Sequence, residues 1–157
     1  MFVIIAVFIA GQMIGRTPDF LGKKIEAKEI KIAAIVAILH PLLILAGTGL
    51  TSYLVVHNPD IGWLNNPSFH GFSEMLYENT SAAANNGSGF EGLGDNTPLW
   101  NILTGIIMLL GRFLPIIGPL AIVGALAIKK PVPVTAGSLK AESPAFGAVL
   151  ISVILII

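Results

Sequence analysis

The sequence predicts an all-α integral membrane protein, built on a span–pore-loop–span repeat with flanking transmembrane helices. Three observations carry that reading. Of 157 residues, 54% are apolar and only 11% charged, with a mean hydropathy of +0.83; soluble domains carry about 25% charged residues. Apolar stretches recur at 1–15, 32–56, 98–128 and 144–157. Apart from Arg112, every lysine and arginine falls in two of the three segments between those stretches. The formal net charge is zero, which argues against a nucleic-acid partner, and the absence of cysteine excludes disulfides, Cys-ligated zinc and thiol catalysis.

Residues 1–15, MFVIIAVFIAGQMIG, fall short of the roughly 20 residues a span needs. They lack the basic n-region and A-x-A site of a signal peptide, so they are expected to be the end of a preceding transmembrane helix. Segment 16–31, RTPDFLGKKIEAKEIK, carries Arg16, Lys23, Lys24, Lys28 and Lys31, and segment 129–143 carries Lys129, Lys130 and Lys140. Segment 57–97 has no lysine or arginine and holds Asp60, Glu74, Glu78, Glu91 and Asp95. The positive-inside rule makes 16–31 and 129–143 cytoplasmic loops and places 57–97 outside. Residues 144–157 are expected to start a last transmembrane helix. An apolar run at each end predicts a section of something longer.

Between the basic loops lies one unit, 32–128: a span, an outer segment of about 40 residues, and a second span. Loops that long without secondary structure of their own are uncommon. Within it, GFSEMLYENTSAA (71–83) repeats Phe72, Met75, Leu76 and Asn79 at helical spacing, after start signals at Asn66-Pro67 and Ser68. Thirteen helical residues reach about 20 Å, about two-thirds of a roughly 30 Å hydrocarbon core. A half-crossing helix must return, here through AANNGSGFEGLGDN. Non-helical backbone at that depth is tolerated only when buried in protein or lining a water-filled path.

That is the layout of a re-entrant pore loop. The carbonyl end of its helix carries partial negative charge that favours a cation. The small residues that follow, Ala84, Asn85, Asn86, Gly87 and Ser88, are the candidates to present backbone carbonyls to a dehydrating ion. Gly87 would supply an unusual φ, and Asn85 and Asn86 tolerate left-handed conformations. An exposed Gly/Asn loop is the plain alternative; the position between two spans, after a half-length helix and away from basic residues, favours the pore loop. One such loop cannot close a pore, because carbonyl filters are rings of segments.

Arg112, in MLLGRFLPIIGP, sits near the middle of its span. Arginine there costs roughly 2.5–3.5 kcal/mol on insertion scales, so a cavity, a carboxylate from elsewhere or backbone carbonyls should receive it. It is a gate or coupling element, or else one half of a structural pair between helices. Gly111, Pro115, Gly118 and Pro119 predict a kinked or broken span. Gly47-Thr48-Gly49 suits close helix packing. Glu74 and Glu78, one turn apart, read as a solvated helix face or as a cation-attracting outer vestibule. His40, His57 and His70 lack the H-x₃-H or H-E-x-x-H spacing of a metal site, and no phosphate-binding or nucleophile-elbow motif is present.

The stretches GRTPDFLGKKIEAKEIK, NPSFHGFSEMLYENTSAAANNGSGFEGL and LGRFLPIIGPLA resemble consecutive parts of the potassium-binding, channel-like subunit of the bacterial Kdp potassium-transporting ATPases. The resemblance covers nearly the whole chain and only the C-terminal part of that subunit. It implies the fourth of four span–pore-loop–span repeats of a potassium-channel-like transporter, with Asn85, Asn86, Gly87 and Ser88 in the selectivity filter. Ala84 and Gly89 depart from the family's usual flanking residues, and Arg112 matches a family arginine. The resemblance further implies potassium as substrate with no covalently bound cofactor and no metal beyond potassium. It also implies a P-type ATPase catalytic subunit that uses the ATP, a small single-span accessory subunit and lipid as partners, and a bacterial or archaeal plasma membrane as location. A Trk- or Ktr-like uptake channel and, from a different class, an intramembrane enzyme or assembly subunit using His40, His57 or Glu74 are the alternatives.

Overall fold

The computed structural model describes residues 1–15, 18–58, 62–66, 68–131 and 143–156. Among the described residues the regular elements are α1 (Phe2–Ile14), β1 (Asp19–Phe20), β2 (Lys23–Lys24), α2 (Ala27–His57), α3 (Ser68–Ala83), α4 (Pro98–Ile128) and α5 (Pro144–Ile156). The protein is thus mostly helical, and α2 and α4, each of 31 residues, are long and apolar enough to cross a membrane. Two expectations change. Helix α4 runs unbroken from 98 to 128, so of a kink or a break the break does not occur; a proline ring removes one ladder bond but holds a helical φ. Helix α3 starts at Ser68, three residues before the predicted Gly71.

The chain divides into two compact units, Met1–Ile38 with Ile116–Ile157, and Leu39–Pro115. In the first, α1 packs on α5 and on β1, around a core that includes Ile4, Val7, Ala33, Ile122, Phe146 and Val153. The basic segment is more than a loop. Asp19 pairs with Lys24 and Phe20 with Lys23 across an antiparallel ribbon. The two residues joining the strands, Leu21 and Gly22, both have positive φ, 51° and 69°, the backbone that matches the twist of a two-residue hairpin.

Directly after the ribbon, the Glu26 amide donates to Glu29 Oε2 at 2.8 Å, one half of a capping box at the start of α2. The same carboxylate accepts Lys129 Nζ at 2.9 Å. Lys129 follows the last residue of α4, and its ammonium also reaches Glu26 Oε2 and the Lys24 carbonyl, both at 3.1 Å. Lys23 Nζ donates to the Lys129 carbonyl. One lysine therefore fastens the end of α4 to the ribbon and to the start of α2. Burial pushes the Glu29 carboxyl up, but the Lys129 hydrogen bond, the amides of Glu26 and Glu29 and the Lys129 charge outweigh it and hold the group below its ordinary value. Desolvation lowers Lys129, and its bonds and attraction to Glu29 and Glu26 outweigh that and raise it.

In the second unit, one apolar cluster joins Met75 of α3, Leu93 of the returning segment and Trp100 of α4, with Val55 and Leu64 against it. The Trp100 indole donates to the Trp63 carbonyl at 3.4 Å. A second cluster joins Ala82 and Ala83 at the end of α3 to Ile107, Leu43, Ile44 and Leu103. Helix α4 opens on a capped turn: the Trp100 amide points at Thr97 Oγ1 (3.5 Å), and Pro98 takes the first position, where no donor is needed.

The clasp predicts a pH signature. Glu29 is depressed, so its contribution is complete above the carboxylate range and is lost as pH falls through its lowered pKa. Lys129 is raised, so its contribution is complete below the lysine range and is lost as pH rises through its raised pKa. Lys129→Met in the full-length chain is expected to cost about 2–3 kcal/mol and to flatten the acid limb of melting temperature against pH. A mutant curve parallel to wild type would show that the clasp contributes nothing.

Candidate functional site

The site is built from the last turn of α3 outward. Asn79 and Ala83 are fully buried there, and two glycines of the long helices make the room. A Cβ on Gly47 of α2 would strike the Asn79 side chain and lie 2.7 Å from Ile107 Cδ1. A Cβ on Gly111 of α4 would strike the Ala83 carbonyl. Asn79 Nδ2 donates to the Met75 carbonyl at 2.7 Å, while its Oδ1 has no hydrogen-bond partner among the described residues. The two long helices thus touch the backbone and the Asn79 side chain of α3 at close range.

Helix α3 then stops by a defined device. The Asn86 amide donates to the Ser81 carbonyl (3.0 Å) and the Asn85 amide to the Ala82 carbonyl (3.1 Å), with Asn85 left-handed at φ 55°. This is the Schellman pattern, with asparagine in the place where glycine is commonest. The chain continues through Gly87 at φ 80°, a backbone that glycine adopts without steric cost. Among the described residues the carbonyls of Ala84, Asn85, Asn86, Gly87 and Ser88 accept no hydrogen bond.

The Ser88 hydroxyl is the hub of a side-chain network that the sequence did not reveal. It lies 2.9 Å from Tyr77 Oη, 3.3 Å from Ser81 Oγ, and accepts Asn86 Nδ2 at 2.7 Å. Tyr77 also meets Phe90 edge to face, centroids 5.5 Å apart. A cleft of about 420 Å³ opens beside the turn, lined by Tyr77, Thr80, Ser81, Ala84, Asn85 and Asn86. The predicted residues Ala84 to Ser88 therefore form one continuous stretch, braced from α3.

The acids separate. Glu78 is half-buried, with Oε2 enclosed and unpartnered among the described residues, and a Cβ on Gly89 would lie 3.3 Å from that oxygen. Glu74 is not on a solvated face. It is fully buried, accepts the Asn65 amide at 3.2 Å and Asn66 Nδ2, and so ties the segment before α3 to the helix. The returning chain is tied to the same segment, the Gly94 amide donating to the Trp63 carbonyl at 3.0 Å. Asp60 lies outside the described residues.

Arg112 is exposed on α4, one residue beyond the contact of Gly111 with Ala83, and makes no hydrogen bond or ion pair among the described residues. The histidines are scattered. His57 Nδ1 lies 2.8 Å from the Tyr53 carbonyl of its own helix, His70 is exposed on α3, and His40 Nε2 lies 3.3 Å from the Gly111 carbonyl. No group of three metal-ligating side chains occurs among the described residues.

Comparison with known proteins agrees with the motifs. Residues 1–157 match the family described as potassium-transporting ATPase A subunit. The potassium-transporting ATPase potassium-binding subunit of Flavobacterium johnsoniae is 65% identical over 99% of this chain and 29% of its own length. That of Phocaeicola vulgatus is 60% identical over 99% of the chain and 28% of its length. That of Geobacillus kaustophilus is 52% identical over 100% of the chain and 28% of its length. The chain spans under a third of the length of these relatives. With a whole-chain family match and that level of identity, the chain belongs to the family of the potassium-transporting ATPase A subunit.

Proposed function

We propose that this chain selects and binds potassium as part of a channel-like subunit of an ATP-driven importer. Residues 32–128 form one span–pore-loop–span repeat, and 57–97 is its re-entrant segment. The observation that carries this reading is the run of five carbonyls, Ala84 to Ser88, left without hydrogen bonds among the described residues immediately after a capped 16-residue helix. A dehydrating cation needs such a row of oxygens, presented by backbone that does not collapse onto itself. Ser88, held from Tyr77 and Ser81, stiffens the row, and Glu78 supplies negative charge beside it. Glu74 has the different task of fixing the segment before α3.

The names of the relatives support the potassium assignment and the association with an ATPase complex. ATP hydrolysis belongs to a separate P-type catalytic subunit, with a small single-span subunit and lipid completing the assembly. The distribution of lysine and arginine supports a multi-pass arrangement in the bacterial or archaeal plasma membrane, with 16–31 and 129–143 cytoplasmic and 57–97 external. Arg112, close to the end of α3 along α4, acts on the ion after the filter rather than at the outer mouth.

Gly87→Asp in the full-length complex is expected to weaken potassium affinity roughly tenfold or more, because aspartate at positive φ brings about 1–3 kcal/mol of strain. Assembly should persist. An unchanged apparent KM for potassium uptake in that mutant would sink the filter assignment. Replacing Arg112 by alanine should lower the uptake rate by about tenfold or more while leaving potassium binding within about twofold; if complex yield alone falls, Arg112 is a structural residue.

A further inference from the structure

The unbroken α4 contains prolines at 115 and 119. In an α-helix the amide of residue i donates to the carbonyl of residue i−4, and proline has no amide hydrogen. Pro115 therefore leaves one identifiable acceptor without its ladder partner: the carbonyl of Gly111. A bare carbonyl in an apolar setting is costly, so a donor is required. The structure supplies it from α2, since His40 Nε2 lies 3.3 Å from that oxygen. A carbonyl only accepts, so Nε2 carries the hydrogen.

We infer that His40 replaces the main-chain bond that Pro115 removes, and that it is a positioning residue for Arg112. Gly111 is the residue whose lack of a side chain admits the Ala83 carbonyl at the end of α3. Its own carbonyl is held by His40 from the neighbouring helix. The turn of α4 that carries Arg112 is thus fixed at one residue, from α3 on one account and from α2 on the other. Without the imidazole, the Gly111 carbonyl would seek water or another donor, and the adjacent arginine would move with it. The functional half of this inference rests on the potassium-transport reading; the hydrogen-bond half does not.

A double-mutant cycle tests it in the full-length chain within its assembled complex. His40→Ala is expected to lower the maximal rate of potassium uptake about fivefold, with the apparent KM within about twofold. His40→Gln keeps an N–H donor near the Nε2 position and should retain at least about half the rate. His40→Leu keeps the bulk without the donor and should behave as alanine. Pro115→Ala restores the missing amide, so adding His40→Ala to it should cost no more than about twofold. Equal losses from His40→Ala in both backgrounds would overturn the inference, as would leucine performing like glutamine. If Pro115→Ala does not assemble, the glutamine–leucine pair decides alone.

The same cycle read as melting temperature without potassium separates the two ideas. Non-additive melting shifts together with an inert Gly87→Asp would keep the His40 bond and remove the filter reading. Additive shifts with a damaged Gly87→Asp would do the reverse.

Discussion

The second unit depends on how closely two helices approach the end of a third. Helix α3 ends among apolar side chains, and its last carbonyls need either hydrogen bonds or a neighbour thin enough to leave them in place. Gly47 and Gly111 are that thin surface, and any side chain at either position would push α3 away. The seat fixes where Ala83 stops, and the Schellman turn then fixes the direction in which Asn85 to Ser88 leave. The candidate carbonyl row thus inherits its position from two hydrogen atoms on two glycines, through a helix that contributes none of those five carbonyls.

The parts of this architecture that depend on apolar length were legible in the sequence. The bounds of α4 coincide with the apolar run 98–128, since the helix is apolar over its whole length and hydropathy reports that directly. Helix α2 begins five residues before its apolar run, because Ala27 to Lys31 is a polar first turn whose capping carboxylate, Glu29, hydropathy does not register. The filter candidates were legible as composition: small, glycine-containing, between spans. Their bracing was not. Ser88 finds Ser81 and Tyr77 at separations of seven and eleven residues, across a turn whose geometry no local pattern encodes. Glu74 and Glu78 share a helix face by spacing, yet the segment 62–66 covers only the first. His40 stood in the sequence only as a candidate residue of an intramembrane enzyme or assembly subunit; its partner lies 71 residues away. Pro115 read in the sequence only as a sign of a kinked or broken span; that its missing amide is answered by His40 is a matter of three dimensions.

The basic segment shows a similar division. Its five cations and the lysines at 129, 130 and 140 were legible as a sidedness signal, a property of how many lysines and arginines stand near the ends of apolar runs. Folding uses two of them further. Lys129 and Lys23 exchange bonds with carbonyls and carboxylates at the start of α2 and the end of α4, so residues that carry the sidedness signal in the sequence also fasten the fold. Cations near the carbonyl end of one helix and an anion near the amide end of another suit both dipoles.

The two ties at the feet of the loop have a consequence in chain entropy. Glu74 holds the Asn65 amide and Trp63 holds the Gly94 amide, so a stretch of about 30 residues is closed at its base. Closing a flexible loop of that length costs about 3 kcal/mol by the logarithmic rule, and here that cost is met when the chain folds. On the potassium reading, a cation reaching Ala84 to Ser88 would meet a segment whose ends are already fixed, and little of its binding free energy would be consumed in ordering polymer. Under the potassium reading, tight capture of a weakly distinguished ion is as much a property of Glu74 and Trp63, which never meet it, as of the oxygens that do.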